Sequence, residues 1–180
     1  MTTNELYPDL EPPDPASLQR LIDACPRLPD GLAAIILSPR DGDPQPDEIW
    51  RVGRSEAVLV WVRRVFGDGV ADVVPLVLDV ELADEETILV PAGSTPLQCE
   101  LAAMTALRTH VDFGAFINRV GTLDIRQEVA EVMAAVREGR HPRGVRVGPP
   151  IVDDWDRRIE YRCAVCDLLA GLSPGAWPAS

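Results

Sequence analysis

Cys163-Ala164-Val165-Cys166 sets two thiols three residues apart, the half-site from which zinc centres and redox pairs are assembled. A structural zinc ion takes four ligands, and the nearest further candidates are Cys99 and His141, the latter 22 residues upstream. Thioredoxin-like use needs a βαβ neighbourhood, which the surrounding pattern lacks. On a helix, Ile159, Cys163, Cys166 and Leu169 fall at i, i+4, i+7 and i+10. Both thiols are therefore expected on an apolar, buried face as small packing groups, with no metal and no cofactor. A second concentration of chemistry is Asp79, Glu81, Asp84, Glu85 and Glu86, five acids within eight residues. The run has neither the glycine nor the alternating oxygen ligands of an EF-hand loop. Its bland reading is a solvated turn; its sharper one is a docking patch for a basic protein partner.

The elements that must position these groups divide the chain in three. Residues 1–46 form an acidic arm: the first 48 residues hold ten acids against three arginines. Asp14-Pro15 has the form of an N-cap followed by proline at the first helical position, and Leu18, Leu21, Ile22 and Cys25 line one face of a short helix that Pro26 ends. Residues 47–140 read mainly as strands. Glu48 to Val52 is short, Ala57 to Phe66 is a nearly unbroken apolar run, and Gly67-Asp68-Gly69 turns the chain into Val70 to Val80. Pro75 predicts an edge or a bulge there. Thr87 to Val90 follows; Leu97 to Met104 is strand or helix, and Thr105 to Val111 a strand. Asp124 then caps a helix with Gln127 three residues on, Ile125, Val129, Val132 and Val136 on its inner face, and Gly139 as its stop. Residues 141–180 are a loop followed by a helix over Trp155 to Leu172 and a frayed tail. Tight turns between closely spaced strands predict an α+β protein with a small antiparallel barrel.

Composition narrows the function classes. The 180 residues carry 29 acids and 17 basic residues, all of them arginine, for a net charge of −12. Such a field opposes binding to a phosphate backbone, so RNA is a disfavoured partner. Nothing approaches the ~18 consecutive apolar residues of a membrane span. The first ten residues are polar and acidic, unlike a secretion signal, and a reduced, cytoplasmic location is expected.

Six segments, in order, carry a resemblance. Asp47-Glu48-Ile49-Trp50-Arg51-Val52 resembles the "G-[DE]-I-W-x-V" opening strand of the MazF/PemK (Kid, CcdB-like) toxin family, and Ala57-Val58-Leu59-Val60 the "R-P-V-L-V" strand after it. Val73-Val74-Pro75-Leu76-Val77 is similar to "V-x-P-I-T", Leu89-Val90-Pro91-Ala92-Gly93 to "L-P-x-G", and Leu107-Arg108-Thr109-His110-Val111 to "I-R-T-V-D". Arg119-Val120-Gly121-Thr122-Leu123 and the capped helix resemble "R-I-G-R-L-S" and the family's C-terminal helix. The match spans roughly residues 47–139. It implies an SH3-like barrel, a homodimer and, in active members, a metal-independent, sequence-specific endoribonuclease.

The likeness breaks where the cutting tools belong. The family places an arginine before its "P-V-L-V" strand and a hydroxyl at the end of the next; here those positions hold Glu56 and Val77, or Leu78 if the register slips. A carboxylate repels the charge that develops on a scissile phosphate, and an alkyl group donates nothing to it. The loop that guards the family's RNA groove is cut to Gly53-Arg54-Ser55. The resemblance thus implies fold without that catalysis, acting by protein–protein binding in stress or phage-response regulation. The alternative is a nuclease rescued by displaced groups: Arg54, Arg63 and His110, with Arg51 and Arg64 near the expected groove. Ordinary roles compete for each, a hydrogen-bonded structural histidine and arginines paired with acids such as Asp72. In the family an acidic antitoxin segment lies across the RNA groove, and residues 1–46 are expected to fold back over it in cis.

Overall fold

The computed structural model describes residues 38–54, 56–124, 129–140 and 144–175. The helix expected from Asp14 and residues 1–37 of the expected groove-covering arm fall outside these residues, as do Gln127 and His141. Among the described residues eight strands form one antiparallel sheet: β1 (Glu48–Gly53), β2 (Ala57–Phe66), β3 (Val70–Val77), β4 (Thr87–Val90), β5 (Leu101–Met104), β6 (Thr109–Asp112), β7 (Phe116–Thr122) and β8 (Arg146–Val147). Two helices follow β7, α1 (Val129–Arg137) and α2 (Arg157–Ala170). The pairing order is β7-β1-β2-β3-β5-β4-β8, with β6 also on β3.

Alternation along the three central strands builds two cores. Ile49, Trp61, Val74 and Leu76 face one way and pack with Met133 and Val136 of α1. Trp50, Val52, Val60, Val62, Ala71 and Val73 face the other and pack with Val165 and Leu169 of α2 and with Leu172. Strands buried on both faces explain the near-continuous apolar run of β2. The β1–β2 connection is tight for a steric reason: a Cβ on Gly53 would lie 1.9 Å from the Glu56 carbonyl oxygen.

Three expectations need correction. The sheet is not closed into a barrel. Among the described residues no ladder joins β6 to β7, and the intervening Phe113–Ala115 segment is a 3-10 turn. The amides at that edge are used elsewhere, Asp112 N–H on Leu172 O at 3.1 Å and Phe113 N–H on Gly69 O at 2.9 Å. Pro75 lies in an interior strand, not at an edge, and the bulge in its ladder with β2 falls between Val62 and Arg64, opposite Val73 and Asp72. β3 pairs with β6 through Val70 to Val73 and with β5 through Leu76 and Val77, so the residue without an N–H occupies the gap between the two partners. Thr105 to Leu107 is a 3-10 turn, and only Thr109 onward is strand. The expected helix stop holds: Gly139 takes φ 69° and its N–H meets Val136 O at 2.9 Å. Two strands escaped the pattern reading. β7 is broken by register shifts against β1, and β8 has only two residues inside an Arg/Gly/Pro-rich loop.

Candidate functional site

Glu56 is exposed just ahead of β2. Val77 is 5% exposed and lies in a small apolar cluster with Ala83, Ala102 and Met104, against which Tyr161 of α2 packs. Leu78 is half-buried against the α1-side core. Position 77 is thus aliphatic and buried, with a side chain of α2 packed against its cluster.

The candidate arginines have structural engagements. Arg51 donates to Asn118 Oδ1 at 3.0 Å. Arg63 lies 4.0 Å from the Trp61 ring centroid and pairs with Asp47 at 3.4 Å. Burial pulls its pKa down, Asp47 opposing this. Arg64 stands over Phe66 at 5.2 Å, and His110 meets the same ring edge-on at 5.3 Å. Arg54 is exposed.

One polar cleft does form on this side, about 730 Å³ in volume. Asp72, Thr105, Arg108, Thr109 and His110 line it, with Ser173 after α2. Asp72, 1% exposed, receives Arg108 Nε at 2.7 Å on Oδ1 and Arg108 Nη2 on Oδ2. Donating hydrogen bonds to Asp72 raises the Arg108 pKa. Of the rescue candidates, His110 reaches this cleft; Arg54 and Arg63 are not among its lining residues. Arg108 was missed as a site residue: it lies just before β6, at the end of the 3-10 turn, where no strand alternation marks it.

The five acids of residues 79–86 meet arginines of α2 and the loop before it. Arg157 pairs with Glu81 at 2.8 Å and Asp79 at 4.0 Å. Arg162 pairs with Asp84 at 2.5 Å and Glu86 at 3.1 Å. Asp84 is 1% exposed and also accepts from Thr87 Oγ1 at 2.7 Å; Glu85 Oε2 accepts the Ile151 N–H at 3.0 Å. Asp79 and Glu81 keep about half or more of their side-chain surface open.

Cys163 and Cys166 are exposed, which corrects the expectation of buried thiols. The inward positions of α2 are Arg158, Val165 and Leu169, a stripe that begins with a charged residue and so escapes an apolar periodicity search. Arg158 is buried because carbonyls and a carboxylate surround it: it donates to Ala83 O at 3.0 Å, Pro149 O at 2.7 Å and both Asp156 oxygens. Among the described residues no three His, Cys, Asp or Glu side chains converge as a metal site would require. Cys99 is half-buried, and burial pushes its thiol pKa up.

The loop into α2 carries a feature the sequence reading passed over. Trp155 is 93% exposed and Val152 89%. The Trp155 N–H donates to Asp153 Oδ1 at 3.0 Å, and Asp156 caps α2 by accepting from the Arg158 N–H at 2.9 Å. The indole is presented from backbone anchored on both sides. No helix among the described residues is long and apolar enough to cross a membrane. No protein-family model matches this chain, and no curated protein matches it in sequence.

Proposed function

We propose that the protein is a non-catalytic binding module that acts by holding another protein. Trp155 carries this reading. An indole 93% exposed beside an 89% exposed valine is the kind of aromatic anchor that dominates protein interfaces when it enters a socket on the partner. Arg158 fixes the loop behind it through Pro149 and Pro150, so little ordering remains to be done on binding. Asp153 and Asp154 flank the indole, and Arg157 connects the same region to Asp79 and Glu81. The matching partner is a protein with an apolar socket and a basic rim, which acidic surroundings would attract and orient.

The scaffold in this reading is a MazF/PemK-like, SH3-type sheet left open between β6 and β7, working as a homodimer in stress or phage-response regulation. Its chemistry is lost because Glu56 and a buried Val77 replace the groups that would stabilise a phosphorane-like charge. The test is paired affinity capture from the native host with the wild-type chain and Trp155→Ala. A partner retained by the first and lost from the second is expected; equal recovery with both would overturn the role of the indole. One observation favours a second reading, an active metal-independent endoribonuclease: Arg108, Thr109 and His110 line a single polar cleft.

A further inference from the structure

Cys163 and Cys166 are both exposed, and both line one pocket of about 430 Å³ on the flank of α2. Three positions along a helix turn the side-chain direction to within about 60° of where it began, so the two thiols leave α2 on the same side. Leu107, Ile151 and Ile159, all half-buried, supply the apolar part of the pocket. Arg162 and Asp167 add one charge of each sign to its lining, and Arg162 is ion-paired with Asp84 and Glu86. With opposite charges side by side, the sulfurs are what distinguishes this lining.

The helix limits what the two thiols can do. Residues three apart on a helix hold their Cβ atoms about 5–6 Å from each other, whereas a disulfide needs about 3.5–4.5 Å. Both cysteines lie in the interior of α2, so closing that gap would distort the helix. The same separation suits an ion held between the sulfurs, since two thiolate–metal bonds of about 2.3 Å placed end to end span about 4.6 Å. Zinc asks for four ligands, and among the described residues no third His, Cys, Asp or Glu side chain joins the pair. Copper(I) is soft, is selected by thiolates, and is satisfied by two of them in a line.

We propose that Cys163 and Cys166 form a binding site for one copper(I) ion per chain, held between the two sulfurs. Each thiol gives its proton to water, two S–Cu bonds replace two S–H bonds, and no electron is transferred. Exposure of the thiols gives the ion its way in. Leu107, Ile151 and Ile159 limit the water around it once bound.

The full-length chain, reduced, freed of added thiol and kept under nitrogen, is titrated with copper(I) in competition with the chromophoric chelator bicinchoninate. One ion per chain is expected, with X-ray absorption of the wild-type complex showing two sulfur neighbours. Cys163→Ser and Cys166→Ser should each weaken binding by at least about 100-fold, more than removal of an outer-shell partner costs. Cys25→Ser, Cys99→Ser and His141→Ala should leave it unchanged. Failure to withdraw copper(I) from the chelator overturns the proposal, as does a sulfur count other than two or one ion shared by two chains. So does binding that survives both serine substitutions, or that depends on Cys25, Cys99 or His141.

Discussion

Asp72 holds a charge in a place with almost no water, and Arg108 makes that tolerable by meeting both carboxylate oxygens. Arg108→Ala should therefore leave a buried carboxylate unanswered, at a cost of about 2 kcal/mol, tempered because the arginine is itself 45% exposed. A urea titration measures this; a loss under about 0.5 kcal/mol would show the pair to be incidental. Trp155→Ala predicts the opposite pattern. The indole packs on so little of its own chain that stability should move by no more than about 0.5 kcal/mol, while partner capture fails; a large drop in stability would mean that the side chain is structural. At this scale the sequence showed residue types better than contacts. The Asp72–Arg108 pair could not be read from it, because its members are 36 residues apart and only the β3–β6 register brings them together.

Helix α2 is the element whose importance is least visible in its residues. Its weakly amphipathic sequence reads as a tail, yet Leu169 is 2% exposed and packs in the core with Trp50 and Phe116. Leu169→Ala should cost about 3 kcal/mol, as buried leucine truncations do, and thermal unfolding would register it; a change below about 1 kcal/mol would place α2 outside the cooperative core. Its N-cap makes a separate prediction. Hydrogen bonds from the Arg158 guanidinium, and next from the Arg158 N–H, hold the Asp156 carboxyl at about 2, against an ordinary value of 3.8. A folded value below the unfolded one means that the cap's contribution is complete above about pH 4 and is lost as pH falls towards 2. A carboxyl-carbon NMR titration should find a midpoint near the lower value, whereas one close to 3.8 would refute the cap. The strands β1 to β4 were legible because long apolar runs and glycine turns mark them. The inward stripe of α2 was not, since burial of Arg158 depends on carbonyls supplied by distant loops.

For the whole molecule, the open sheet is accounted for by what covers it. Helices on both faces bury the central strands from either side, and the chain beyond α2 occupies the β6 edge that a barrel would close. Turn spacing alone could not distinguish this from closure, because both arrangements use the same hairpins. A net charge of −12 sets the molecule's average field against nucleic acid. The fate of RNA is the decisive measurement. Purified protein incubated with long single-stranded RNA in the absence of metal should leave every strand at full length. Discrete fragments that disappear with Arg108→Ala would contradict it and establish the polar cleft as a nuclease site.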